Sequence, residues 1–187
     1  MKLFDEPIEV KVRKTDTKRA TNFANKVIPT VNYADTNQTN KDKIRKDHFI
    51  SKIGEIAVQR VFKSLGCKVK GPDFKIYKGR KKSWDADLQI DEEDLAVKTQ
   101  SSYSAEKYGL SWTFQHGGSR YDPILSNKES WVCFVKFDEP TNKCIVYPPK
   151  QMKDLNGKFK PPKIKWLRGK KVVIYAVDIY GKAVLDV

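Results

Sequence analysis

The sequence predicts an α/β fold in which helices flank a mixed central β-sheet. Residues 47–65 repeat apolar side chains at spacings of three and four, which indicates an amphipathic helix. Residues 84–100 alternate apolar and polar side chains, as a strand with one exposed face does. Residues 131–137 form a short apolar run, which is typical of a buried strand. Because helical and strand patterns follow one another along the chain, one sheet covered by helices is the expected architecture.

We expect the 187 residues to form a single domain, because a chain of this length supports one hydrophobic core and hardly two. Its parts are an N-terminal arm or helical extension at residues 1–46, a helix and hairpin at 47–100, and the remaining sheet elements at 101–187. The three cysteines are widely spaced in apolar contexts, so we expect buried thiols in a reducing compartment, the cytoplasm. No stretch approaches the roughly 18 apolar residues of a membrane span, and the N-terminus has no apolar signal segment, so neither membrane insertion nor secretion is expected.

The elements can be placed in order along the chain. Residues 8–14 alternate as a short strand does, and the helix that begins near Asp47 is expected to stop at Gly66. A loop or short helix is expected at residues 101–109. Further strands are predicted at residues 67–79, 110–115, 131–137, 143–149, 171–179 and 183–187.

Charge narrows the range of partners. Lysine and arginine total 37 against 23 acids, which gives a net charge of +14. An excess of this size is typical of proteins that bind a polyanion. Nucleic acid is the first expectation and an anionic membrane surface the second.

The most informative stretch is residues 84–100, WDADLQIDEEDLAVKTQ, in which two strand-like runs are joined by an acidic turn. Because strands alternate faces, Asp85 and Asp87 share the polar face of the first run. Lys98 and Gln100 share the polar face of the second run. Both runs keep an apolar face for a core, so the pattern predicts a hairpin with acids and a lysine in one cleft.

This hairpin resembles the active site of the PD-(D/E)xK nuclease superfamily, and the resemblance covers residues 47–100. It implies a restriction-endonuclease-like core in which Asp87 is a Mg²⁺ ligand, Lys98 assists catalysis and Gln100 supports the site. The preceding helix carries Glu55, which the resemblance implies is a second metal-binding residue.

The chemistry suits these residue types. Mg²⁺ prefers oxygen ligands and keeps several waters, so two or three carboxylates are enough to hold it. A bound Mg²⁺ polarises the phosphate and makes its water a better nucleophile, and a nearby lysine stabilises the developing negative charge. Asp85 is the main rival to Asp87 as the principal ligand, and Asp73, in Gly-Pro-Asp, ranks third.

One position departs from the family pattern, because Ala96 stands where an acid precedes the lysine by two residues. Three explanations are open. The acid was changed to alanine to silence the enzyme, or the natural protein binds DNA without catalysis, or Glu93 or Asp94 supplies the acid instead. We favour the first explanation, because a glutamate at position 96 would complete the pattern and no other part of the site is missing.

DNA contacts are expected from three further regions. Basic side chains bind phosphates irrespective of sequence, and polar side chains held near a groove read base edges. The stretch 158–171 is one basic candidate. The residues that we assign to DNA binding are Lys78, Arg80, Lys81, Lys82, Gln115, His116, Ser119 and Arg120.

These inferences predict a sequence-specific, restriction-type endonuclease, of prokaryotic or phage origin, that hydrolyses double-stranded DNA and is silenced here by Ala96. A homodimer is expected, because two strands require two active sites. The alternatives are a non-catalytic DNA-binding protein on a nuclease fold and a structure-specific nuclease such as a Holliday-junction resolvase. An RNA-binding accessory protein is a third possibility. A histidine-metal nuclease is not expected, since the chain has only His48 and His116.

Overall fold

The central element of the fold is a mixed sheet that is covered on both faces. A computed structural model describes residues 1–31, 39–77, 86–117 and 120–182. The strands are β1 Ile8–Lys11, β2 Val69–Lys70, β3 Leu88–Ile90, β4 Glu93–Ser101, β5 Ser111–Gly117, β6 Arg120–Tyr121, β7 Trp131–Asp138, β8 Lys143–Val146, β9 Lys150–Gln151 and β10 Lys171–Tyr175. The helices are α1 Lys14–Val27, α2 Lys41–Ser64, α3 Ser102–Tyr108 and α4 Ala176–Tyr180.

The central sheet has the order β1-β8-β7-β4-β3-β2, and β9 pairs with the start of β7, which makes seven strands within the described residues. Strands β4 and β7 are parallel, with Val97 opposite Cys133, and the other pairs are antiparallel. The predicted α/β class with a mixed sheet and helices is therefore confirmed, although in the described part of the chain helices cover only one face of this sheet and a second, three-stranded sheet covers the other. Strands β3 and β4 form the predicted hairpin, with Leu88 opposite Leu95.

Helices α1 and α2 cover one face of the sheet. Their apolar side chains pack with Leu95 and Val97 of β4 in the first core. The approach is closest at Gly54, where a Cβ atom would lie 1.8 Å from Thr99 Oγ1. Since only a residue without a side chain fits there, Gly54 sets the distance between α2 and β4, and it places the next residue, Glu55, against the hairpin.

The opposite face carries a second core. A three-stranded sheet of order β10-β5-β6 packs there within the described chain. Trp112 of β5 stacks on Phe134 of β7 with ring centroids 4.4 Å apart, and its indole N–H donates to Val135 O at 2.9 Å. The central sheet thus lies between α2 and the small sheet.

The N-terminal region contributes regular elements to this fold. The predicted strand at residues 8–14 is observed as β1, which pairs with β8 at the sheet edge. Helix α1 buries Ala20 and Ala24, and Asp16 forms an ion pair with Arg60 of α2.

Several predicted boundaries were wrong. Helix α2 begins at Lys41 rather than near Asp47, because the Asn40 side chain accepts a hydrogen bond from Lys43 N at 2.9 Å and caps it. The strand predicted at residues 171–179 ends at Tyr175 and continues as α4. Only Val69–Lys70 of the strand predicted at 67–79 is a strand. The strand predicted at 183–187 lies outside the described residues.

Other predictions at this level were confirmed. Gly66 follows α2 in a left-handed conformation, with φ of 81°, and ends the helix. The short helix predicted within 101–109 is α3. All three cysteines are buried free thiols. In the described part of the chain, no helix has the length and apolar character needed to cross a membrane.

Candidate functional site

Asp87 lies where the hairpin begins, directly before β3. Its Oδ2 accepts a hydrogen bond from the backbone N–H of Val97 at 2.7 Å. This bond holds the Asp87 carboxylate against β4 at Val97, the residue directly before Lys98. Burial raises the pKa of Asp87, although the Val97 N–H and the ammonium groups of Lys98 and Lys52 act to lower it.

Glu55 brings a second carboxylate from the helical side of the sheet. Its side chain is 2% exposed, because Gly54 allows α2 to lie directly on β4. Glu55 Oε2 accepts a hydrogen bond from Lys52 Nζ at 2.6 Å, and Oε1 accepts one from Ser51 Oγ at 3.2 Å. A carboxyl group this deeply buried needs such partners or a proton.

The two carboxylates affect each other electrostatically. Burial and, after it, the negative charge of Asp87 raise the pKa of Glu55 to about 8, despite the opposing effect of Lys52. Glu55 therefore retains its proton at neutral pH in the protein alone. A divalent cation that bound both groups would relieve their repulsion and displace this proton.

Lys98 projects from β4 and forms an ion pair with Asp122. Its ammonium group also lies 4.9 Å from the centroid of the Phe114 ring. Asp122 follows β6, and its own backbone N–H donates to Gln115 O at 2.9 Å. The negative charge of Asp122 also acts to raise the pKa of Asp87, so this third acid belongs to the same electrostatic cluster.

Two residues of this cluster, Asp122 and Lys52, were not predicted from the sequence. Asp122 is 24 residues from Lys98 and is brought to it by the pairing of β5 with β6, which no local pattern indicates. Lys52 is three residues before Glu55 on α2, and that helical spacing was the one available signal.

Ala96 is half-buried and packs against the second core. It lies on the Lys98 face of β4, as strand alternation predicts, but the neighbouring surface at this position is apolar rather than an open polar cleft. Glu93 and Asp94 are exposed, and Asp94 accepts a hydrogen bond from Gln89 Nε2 at 3.3 Å. Neither of these acids takes the place of a carboxylate at position 96.

Gln100 connects the hairpin to the next strand. Its side-chain oxygen accepts from Ser111 N at 2.7 Å, and its Nε2 donates to Gly109 O at 3.2 Å. These hydrogen bonds hold the start of β5 beside β4, and among the described residues Gln100 has no hydrogen bond to Asp87.

The predicted rivals of Asp87 are placed differently. Asp73 accepts hydrogen bonds from Tyr77 Oη at 2.5 Å and Lys75 N at 2.8 Å. It lines a partly open cavity of about 270 Å³ that also reaches Asp87 and Lys52. Asp85 lies outside the described residues.

Only some of the predicted DNA-binding residues lie in the described part of the chain. Lys78, Arg80, Lys81, Lys82 and Ser119 lie outside the described residues. Gln115 and His116 are on β5, and Arg120 is on β6 opposite Gly117. Gln115, His116 and Arg120 therefore belong to two paired strands, in which the His116 ring lies 5.8 Å from that of Tyr121.

Comparisons with protein-family models, with curated proteins and with solved structures found no match to this chain. The site is therefore interpreted from its own geometry. Across residues 1–31, 39–77, 86–117 and 120–182, no three His, Cys, Asp or Glu side chains are grouped as a metal site. What is present is the buried carboxyl group of Glu55 and the half-buried one of Asp87, with Lys98 and Lys52 close enough to affect their pKa values.

Proposed function

We propose that this chain has a restriction-endonuclease-like core and is a Mg²⁺-dependent, sequence-specific DNA endonuclease whose site lacks one acid at Ala96. One observation carries the proposal. Asp87 and Glu55, from the hairpin and the preceding helix, are close enough for the charge of Asp87 to add to the effect of burial, and burial and this charge together raise the pKa of Glu55 to about 8. Lys98 lies beside Asp87 on the adjacent strand. These are the three residues to which the family resemblance gives catalytic roles.

The donor set suits Mg²⁺. Two carboxylates with water ligands match the preference of this ion for oxygen, and softer ligands are absent from the described cluster. When bound, Mg²⁺ would polarise the scissile phosphate and lower the pKa of a coordinated water. The Val97 N–H fixes the orientation of Asp87 for this role. Glu55 joins as a ligand once it has lost its proton.

Lys98 then acts on the substrate. Its ammonium group is held by Asp122 in the protein alone. A DNA phosphate that entered the site would compete with Asp122 for this ammonium group. Lys98 would then orient the attacking water and stabilise the charge that develops on the phosphate. Asp122 keeps the ammonium group close to the site until that exchange.

Double-stranded DNA is the proposed substrate, and a homodimer would supply one site for each strand. The net charge of +14 supports a polyanionic partner. With alanine at position 96, such a protein would bind DNA more readily than it would cut it.

A second candidate is a DNA-binding protein that has a nuclease fold and no catalytic activity. The packing of Ala96 favours it, because a half-buried side chain against the second core fits alanine as the native residue. A structure-specific nuclease, such as a junction resolvase, would use the same catalytic residues on another substrate.

Restoring the acid distinguishes these functions. We expect Ala96→Glu to gain Mg²⁺-dependent cleavage of plasmid and long phage DNA, because it adds a third oxygen ligand next to Lys98. Ala96→Gln is the matched control, with similar volume and no charge. Agarose electrophoresis would give discrete fragments for a restriction-type enzyme and cleavage of branched DNA alone for a resolvase. A folded Ala96→Glu protein that binds DNA and cuts none of these substrates would leave the binding protein as the function.

A further inference from the structure

The segment 165–170, which we call the Trp166 turn, presents an aromatic side chain to solvent. It begins with a 3-10 helix at Lys165–Leu167, and Trp166 is 57% exposed. By contrast, Trp112 is 2% exposed in the second core. A large exposed ring is common as a single surface residue, so its surroundings decide whether it has a role.

Those surroundings are strongly basic. Between residues 155 and 177 the chain has seven lysines or arginines and no aspartate or glutamate. Lys160 pairs with Asp178 at 2.7 Å. Within the described residues, no carboxylate lies at ion-pair distance from Lys165, Arg168 or Lys170. Trp166 thus stands in a basic stretch of the chain in which these three cations have no carboxylate at ion-pair distance among the described residues.

The Trp166 turn is joined to the hairpin of β5 and β6. His116 N donates to Lys170 O at 2.9 Å. A Cβ atom on Gly117 would lie 2.1 Å from Gly169 O, so the backbones of the turn and the hairpin tip are in direct contact. Tyr121, in the same hairpin, is 49% exposed. The two segments are therefore in contact, and each carries one exposed aromatic ring.

The same hairpin leads to the candidate site. Tyr121 is followed by Asp122, whose carboxylate pairs with Lys98. Tyr121 and Asp122, the ion-pair partner of the proposed catalytic lysine, are thus consecutive residues of the chain. The hairpin therefore links the Trp166 turn to the site through consecutive residues of the chain.

We infer that the Trp166 turn and the β5–β6 hairpin bind DNA that has unpaired or unstacked bases, and that Trp166 stacks on such a base. Any base offers an aromatic face to a tryptophan, and lysines and an arginine around the ring attract the flanking phosphates. Aromatic and apolar side chains also enter duplexes where base steps are unstacked. The inference takes from the proposed function only that DNA is the ligand, and it favours DNA with unpaired bases over an intact duplex, as the structure-specific alternative would require.

Binding of labelled DNA, measured by fluorescence anisotropy, tests this inference. The probes are a duplex, the same duplex with a short bulge of unpaired bases, and a single strand. We expect the protein to bind the bulged and single-stranded probes more tightly than the duplex. Trp166→Ala should weaken binding of those two probes by about 10-fold and binding of the duplex by much less, because stacking contributes only where a base is free. Trp166→Phe should retain most of the affinity.

Two further variants separate stacking from charge and from exposure. Tyr103→Ala removes a ring that is 55% exposed on α3, outside these two segments, and should leave all three affinities unchanged. The double variant Lys165→Gln with Arg168→Gln should weaken binding of all three probes. It should also lower the slope of log affinity against log salt concentration by the amount expected for about two phosphate contacts.

Equal affinities of Trp166→Ala and the unaltered protein for the bulged and single-stranded probes would overturn the inference and leave the proposed nuclease site intact. Binding to phosphatidylserine vesicles that depended on Trp166, with no dependence for DNA, would also overturn it. If the unaltered protein bound none of the DNA probes, the proposed function itself would fail.

Discussion

In the Ala96→Glu protein, replacing Lys98 with methionine should lower the rate of Mg²⁺-dependent DNA cleavage by about 100-fold or more, the effect expected when a charged group that stabilises a transition state is lost. Methionine keeps most of the length and volume of lysine and removes the ammonium group. The affinity for DNA should fall little by comparison, because one phosphate contact among many is lost. Initial rates of plasmid nicking at saturating Mg²⁺ measure the effect.

Lys153→Met is the matched control for this change. Lys153 also pairs with a carboxylate, at 2.8 Å from Glu129, but it lies outside the site and is exposed. It should not alter the cleavage rate. Thermal denaturation checks that the loss of the partner of Asp122 leaves the Lys98→Met protein folded. Equal cleavage rates for folded Lys98→Met and Lys153→Met proteins would exclude Lys98 from the reaction.

The second large effect concerns pH and stability. Glu55 has its pKa raised from 4.5 to about 8 in the folded protein, chiefly by burial. Between these values the folded protein keeps a proton that the unfolded chain has lost. The contribution of Glu55 to stability is therefore fully present below pH 4.5 and is lost as the pH rises towards 8. The expected loss is on the order of a few kcal/mol.

Glu55→Gln isolates this contribution, because glutamine is uncharged at every pH in this range. We expect the free energy of unfolding of the variant, minus that of the unaltered protein, to increase by about 2 kcal/mol or more between pH 5 and pH 8.5. Urea unfolding at the two pH values measures it. Glu139→Gln, on a carboxylate that pairs with Lys46 at 2.8 Å, is the control and should give a smaller change. A difference that is independent of pH would show that Glu55 is ionised throughout.

Local patterns were sufficient for the parts of the fold that depend on neighbours in the chain. The apolar repeat of α2 and the alternation of β3 and β4 predicted the helix, the hairpin and the faces of Leu95 and Val97. The end of the helix followed from Gly66. The start at Lys41 was missed because a polar first turn carries no apolar repeat, and its signal is a single capping residue, Asn40.

The candidate site was predictable only where it is local. Asp87 and Lys98 share one hairpin, so their proximity follows from strand spacing. Asp122 reaches Lys98 through the folding of β5 and β6 over the second face of the sheet, and no spacing encodes that contact. The packing of Ala96 has the same origin, because it depends on side chains of the second core that are distant in the chain.

The central claim is that Asp87 and Glu55 together bind one divalent cation. Calorimetric titration of the unaltered protein with Mg²⁺, and with Mn²⁺ as a second probe, at pH 8.5 and at pH 6 in buffers of different ionisation enthalpy, tests it most directly. We expect one ion per chain, tighter binding at pH 8.5, proton release at pH 6 where Glu55 must lose its proton, and loss of binding in Asp87→Asn. Binding of the same strength in the Asp87→Asn protein, or no binding at pH 8.5, would contradict the claim.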